Sequence, residues 1–279
     1  YVNFLHKGSV VTSALDLDGG IAWQTTVTGY QTHQGFSSSP CLFGSLVIVS
    51  ADNRGGGAVV AMSRATGKVA WKQSRPKKAN YTSPIVFKVS GRNQALMVGT
   101  NLVSSYDPLT GKKLWEINGA TTECVTSVVT DGTRIFTSGG YPRNHVQAVL
   151  ADGSGKTAWQ NTQRVYVPSM VAHQGTLYAV LDAGIATAWD TTTGKTLWKK
   201  RLGGTFTSSL VLAAGNLYAT DESGQTTVFA ASRDGLELKA KNKLGQQTYS
   251  SMAISGGRIF HRVATNDGGR REWLYCLSR

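Results

Sequence analysis

The stretch at 191–200 reads TTTGKTLWKK. A small polar residue, a glycine, a lysine and then a Trp four positions after the glycine describe a tight turn leading into a strand. Glycine accepts positive φ there, and the polar side chain before it caps the local backbone. Nearly the same string stands at 64–73 (RATGKVAWKQ), 108–117 (PLTGKKLWEI) and 152–161 (DGSGKTAWQN), with a fainter copy, LDGGIAWQT, at 17–25. The turn glycines fall at Gly19, Gly67, Gly111, Gly155, Gly194 and Gly235, 39 to 48 residues apart. Trp23, Trp71, Trp115, Trp159 and Trp198 follow four residues later, and the sixth copy has Lys239 in that place. A second mark keeps step with the first: a Ser opening an apolar run, at Ser39, Ser83, Ser127, Ser169, Ser209 and Ser251.

Each unit divides into four short strands. The fifth shows them best: SMVAH as strand A, LYAVLD as B, IATAWDT as C, then the TGK turn and KTLWKK as D. About 40–45 residues and four strands per repeat are the signature of a propeller blade. The expected fold is therefore all-β, a β-propeller forming one domain over residues 1–279. Seven blades are visible, the first lacking its A strand and the last its D strand; upstream sequence would close the ring or add an eighth. The Trp of strand D is expected between adjacent blades as an apolar plate rather than as a sugar-stacking platform.

The bulk numbers agree. The chain is 41% hydrophobic, enough for a large core, and its 32 Gly against 6 Pro suit many strands joined by tight turns. No run approaches the roughly 18 apolar residues of a membrane span. The chain opens at Tyr1 with neither initiator Met nor signal peptide, which reads as a processed or trimmed product. Its 29 Lys and Arg against 16 Asp and Glu give +13, a charge that attracts polyanions or simply solubilises the surface. Three cysteines, Cys41, Cys124 and Cys276, form neither a disulfide framework nor a Cys-x-x-Cys knuckle. Cys41 and Cys276, inside strand-like runs, read as buried apolar residues.

With the TGKxxW turn and the SSP-type strand starts, the whole chain resembles the pyrroloquinoline-quinone-like propeller repeat proteins. Stretches such as HQGFSSSP, DPLTGKKLWEI and YAVLDAG are similar to an exported subgroup common in planctomycete-type bacteria. That resemblance implies a periplasmic or secreted protein with a longer N-terminal part. One branch of the family holds quinone-dependent alcohol dehydrogenases, with a Trp floor, a vicinal cysteine disulfide and Ca²⁺ held by Glu, Asn and Asp. This sequence has no adjacent cysteines and no assignable Ca²⁺ constellation, so no cofactor is expected and the quinoprotein dehydrogenase reading is the weakest. The other branch resembles the outer-membrane assembly lipoprotein, a non-enzymatic scaffold.

Propeller geometry selects candidate site residues without any motif. With strand A innermost, the D-to-A and B-to-C connections share one face and open onto a central funnel. The segments ahead of the Ser marks place His33, Tyr81, Glu123, Arg164, Tyr166, Phe206 and Tyr249 around that mouth. The B-to-C loops add His6, Lys7, Arg54, Arg143, His145, Arg270 and Arg271, with Lys77 and Lys78 just outside. Arg and Lys hold carboxylate or sulfate, Arg in bidentate fashion. Glu123 and His33 are the candidates for general acid or base, and Tyr81, Tyr166 or Tyr249 for the proton donor. Arg164, Tyr166, Tyr249, Phe206, Arg143 and His145 are the candidate ligand-binding residues. Asp52, Asp182, Asp221, Glu222 and Asp267 mix negative charge into the same loops. No HxxxH, HExxH or carboxylate pair points to a metal. There is no GxSxG elbow, phosphate loop, helix-turn-helix or RNP segment, so nucleic acid rests on charge alone.

The leading functional reading is an exported, non-redox, monomeric binding module that takes an anionic polysaccharide or a protein partner at the funnel. The alternative is a lyase or hydrolase acting on acidic glycans.

Overall fold

The computed structural model describes residues 1–278, and every regular element among them is a β-strand. Blade 1 holds β1 (Val2–His6), β2 (Ser9–Leu15) and β3 (Ile21–Gly29); blade 2 holds β4 (Cys41–Phe43), β5 (Leu46–Ser50), β6 (Gly57–Ser63) and β7 (Val69–Arg75). Blade 3 is β8 (Ile85–Val89), β9 (Arg92–Gly99), β10 (Leu102–Tyr106) and β11 (Lys113–Asn118). Blade 4 is β12 (Val129–Thr130), β13 (Arg134–Gly139), β14 (His145–Leu150) and β15 (Thr157–Asn161). Blade 5 is β16 (Val171–His173), β17 (Thr176–Leu181), β18 (Ile185–Asp190) and β19 (Thr196–Arg201). Blade 6 is β20 (Val211–Ala213), β21 (Asn216–Thr220), β22 (Gln225–Ala230) and β23 (Leu238–Lys243), and blade 7 is β24 (Ala253–Ser255), β25 (Arg258–Thr265) and β26 (Arg271–Leu277). Each blade is an antiparallel meander in chain order: five of four strands, with three strands in the first and the last. This is the β-propeller expected from the repeat.

The two middle strands of a blade read as continuous apolar runs because both faces are covered. In β5, Val47 and Val49 pack with Val10 and Val27 of blade 1, whereas Leu46 and Ile48 pack with Ala95 and Met97 of blade 3. Strand alternation thus sends successive side chains to opposite neighbours. The core is a series of such layers, one at each junction from blades 1 and 2 to blades 5 and 6.

The Trp residues stand in those interfaces. Each lies opposite a small residue on its own strand C: Trp23 pairs with Ala14, Trp71 with Ala61, Trp115 with Ser105, Trp159 with Ala148 and Trp198 with Ala188. The space left by the small residue seats the indole. For Trp23, Trp71 and Trp159 the far face meets the turn glycine of the next blade. A Cβ at Gly67 would lie 2.5 Å from Trp23, one at Gly111 2.6 Å from Trp71, and one at Gly194 2.5 Å from Trp159. The indole N–H groups of Trp23, Trp71, Trp159 and Trp198 donate to carbonyls of Arg64, Pro108, Thr191 and Ser232, each in the following blade. Trp115 donates instead to Gln94, whose amide passes the link on to the Ala151 carbonyl of blade 4. In the sixth repeat the register corrects the sequence alignment by one residue. Ala240, not Lys239, holds the Trp position, and it lies opposite the larger Val228.

The Ser marks form an inner belt. The N–H groups of Ser39, Ser127, Ser169 and Ser209 donate to the hydroxyls of Ser83, Ser169, Ser209 and Ser251, one blade on, at 2.8–3.0 Å. This explains why β16 begins at Val171 rather than at the expected Ser169: the serine backbone bonds across blades, outside the ladder. The cysteines differ from expectation. Cys124 is fully buried, Cys41 is half-buried, and Cys276 is exposed because β26 has no D strand beside it.

Candidate functional site

The D-to-A and B-to-C connections do share one face, and backbone bonds tie them together. Thr100 N–H donates to Thr122, Phe206 N–H to Asp182, Glu222 N–H to Thr205 and Thr248 N–H to Glu222, all at 2.8–3.0 Å. On this face the structure brings together four of the candidate residues. Glu123 is 6% exposed, and its Oε1 stands 3.6 Å from Nε2 of His33. Tyr81 is buried with its hydroxyl lacking any protein partner. Burial, and then the Glu123 charge, raise the Tyr81 phenol above its ordinary value, and the same two causes raise Tyr166. Both phenols therefore stay protonated at neutral pH and are available as hydrogen-bond donors.

A buried network unseen in the sequence holds this group in place. Arg75 and Asp52 form a fully buried ion pair at 3.0 Å. Asn80 donates to Asp52 and to the Val98 carbonyl, while its oxygen accepts the N–H of Cys124. Tyr81 N–H donates to the Cys124 carbonyl, so the segment carrying Glu123 is fixed by two bonds from the preceding connection. Gly99, at φ +109°, is required: a Cβ there would fall 2.0 Å from Asn80 Oδ1. Asp52 thus contributes no free negative charge to the mouth. The only sequence signal was a polar cluster, Asp52, Arg75 and Asn80, at strand ends that the hydrophobic pattern leaves unexplained.

Arg164 stands on the rim, its guanidinium 5.1 Å from the Tyr166 ring centroid and 3.9 Å from Asp182. Asp182 accepts the Tyr166 N–H, which sets the tyrosine's position. The remaining candidates are elsewhere. Phe206 is a correction: 2% exposed, it packs with Tyr178, Leu210 and Phe229 in the layer between blades 5 and 6 and can touch no ligand. Tyr249 is exposed on blade 7, where its hydroxyl meets Gln247. Arg143 and His145 line a separate cleft between blades 3 and 4 that includes neither Glu123 nor His33.

The family described as outer membrane protein assembly factor BamB matches this sequence over residues 6–200 and 142–260. The chain belongs to that family. Among solved structures, BamB from Moraxella catarrhalis is similar over 93% of this chain and 89% of its own, at 13% identity and a TM-score of 0.53. The quinohemoprotein alcohol dehydrogenase from Comamonas testosteroni shares 14% identity with a TM-score of 0.65, covering 83% of this chain and 52% of its own. A europium-containing methanol dehydrogenase shares 13% identity with a TM-score of 0.57, over 76% of this chain and 51% of its own. The BamB-type chain thus spans about half the length of the two dehydrogenases, and at these identities the likeness is one of fold. A comparison with curated protein sequences finds no match.

The funnel side chains do not fit a quinone held with a cation. The indole N–H groups are committed to the blade interfaces, the three cysteines are free thiols far apart in the chain, and no group of three His, Cys, Asp or Glu side chains converges among the described residues.

Proposed function

We propose that this BamB-type chain is an exported recognition propeller that takes an anionic partner on the blade 2 to blade 5 side of its connection face. One observation carries the reading. Arg54, Lys77, Lys78 and Arg164 are all exposed there, while Asp52 and Glu123, carboxylates of the same sector, are buried against Arg75 and His33. The negative side chains Asp221, Glu222 and Asp267 lie on blades 6 and 7. A mouth charged on one side steers and orients an acidic surface or polymer. Tyr166, stacked under Arg164, adds a flat apolar face beside the cations.

The test is binding of polygalacturonate and of a poly-glutamate peptide at low and moderate salt. Replacing Arg54, Lys77 and Arg164 together by Ala is expected to weaken binding about tenfold or more, with loss of its salt dependence. Unchanged binding refutes the reading. Whichever polymer binds better names the partner class.

The juxtaposition of His33, Glu123 and Tyr81 supports a second reading, a lyase or hydrolase on the same acidic glycans. Hydrolysis by the usual two-carboxylate route needs a second free carboxylate, and Asp182 is engaged by Tyr166 and Arg164. A lyase needs only a base and a proton donor. Unsaturated uronate appearing from polygalacturonate, and abolished by Glu123→Gln, would establish it.

A further inference from the structure

The cleft between blades 3 and 4 has a chemistry different from the funnel. It encloses about 940 Å³ and is walled by the outer end of β11, the 119–122 connection, the 142–144 loop, and β14 with β15. Nine of its fourteen lining residues carry a side-chain amide or hydroxyl, and Arg143 is the one permanently charged residue among them. Gln147 and Gln160 face each other across β14 and β15 and so project to the same side, with Asn118 on the opposing wall.

His145 is the most telling member. Its ring lies over Gly139, where a Cβ would come within 2.8 Å of Cε1. Both ring nitrogens are shielded from water, and neither has a partner. A neutral imidazole carries one donor and one acceptor, and leaving both unmade beneath a polar cleft costs free energy. Among the described residues nothing in the chain supplies those partners.

We propose that this cleft is a binding site for an uncharged saccharide. Paired donor and acceptor groups on the exposed Asn118 and Gln160 match vicinal hydroxyls, each of which both donates and accepts, while the Gln147 amide is held by Thr157 and Ala120. With one permanent charge, the cleft has too little charge for a phosphate or carboxylate ligand. An extended peptide would use the backbone of a strand edge and alternate side-chain pockets, whereas the groups presented here are side-chain amides. The site is off the axis and does not depend on the funnel reading.

The test is titration of the full chain with maltohexaose, cellohexaose and chitohexaose, followed by calorimetry. At least one is expected to bind, with affinity insensitive to salt. Asn118→Ala and Gln160→Ala, both at exposed positions that leave the fold intact, should each weaken it about threefold to tenfold. Arg54→Ala and Lys77→Ala, on the funnel side, should leave it unchanged. The proposal is overturned if no hexasaccharide binds, if the two cleft variants bind as the native chain does, or if an uncharged Gly-Ser decapeptide binds where the saccharides do not.

Discussion

Replacing Gly111 by Ala is the sharpest probe of the blade interface. Gly111 has φ +73°, and an added Cβ would lie 2.6 Å from Trp71 Cδ2. Two costs follow. Placing an L side chain in the left-handed region costs about 1–2 kcal/mol. Making room against an indole that is 8% exposed and tethered to the Pro108 carbonyl adds an overpacking cost of about 1–3 kcal/mol. Gly215 separates the two: it has φ +74°, and a Cβ there would meet nothing within 4 Å. Gly215→Ala should therefore lose only the conformational part. Urea denaturation of both variants, followed by Trp fluorescence and circular dichroism, measures the difference. Gly111→Ala is expected to be the less stable of the pair by about 1–3 kcal/mol. Equal stability of the two would refute the claim that the indole is locked against the next blade's turn.

Four further outcomes are expected. Arg75→Leu leaves the buried Asp52 carboxylate without its cation and should destabilise by about 3–5 kcal/mol, with part recovered in the Arg75→Leu, Asp52→Asn double variant by the same denaturation assay. Burial, with Arg143 adding to it, pushes the His145 pKa down to about 4. The unfolded chain takes up that proton near 6.5, so stability should fall as pH drops from 7 to 4, by at most about 3 kcal/mol, and His145→Gln should flatten that slope. Ser169→Ala removes the hydroxyl that accepts the Ser127 N–H and should cost about 1 kcal/mol. Under native conditions a thiol reagent should modify Cys276 fast and Cys124 only on unfolding, since one is exposed and the other wholly buried; rapid reaction of Cys124 would contradict the packing of blades 3 and 4.

The blades were legible because a propeller writes itself in the sequence many times over. The Trp and Ser marks recur in step, so an error in any one unit is corrected by the others. The exception shows the limit: Lys239 sits at the right spacing from Gly235, but the turn carries one more residue before the strand begins at Leu238, and register depends on the pairing of Ala240 with Val228, which spacing cannot report. Site residues do not recur, so they had no such redundancy. Loop position correctly drew His33, Tyr81, Glu123 and Tyr166 to one neighbourhood, because the fold fixes which connections meet. It failed for Phe206, whose ring turns from the β19–β20 connection into the core between blades 5 and 6. It also missed Asn80 and Arg75, whose importance comes from three-dimensional contacts with Asp52 and Cys124 rather than from any local pattern. His145 was placed on the right face but in the wrong cavity, since one loop borders both.

The indole-on-glycine contact has a consequence for how such a chain can change. Blades 2 to 5 each offer a Trp on one side, and each takes the preceding Trp on the other, largely at a turn glycine. Knob and recess are therefore standardised across these junctions, like couplings on a train. Excising or duplicating one of these units would bring together two halves already shaped for each other, leaving only ring closure to adjust. The junction after blade 6 lacks that coupling, because Ala240 presents no knob. Blade 7 is thus bound by terms of its own, and a unit spliced in at that point would find no indole on blade 6 to fill its recess.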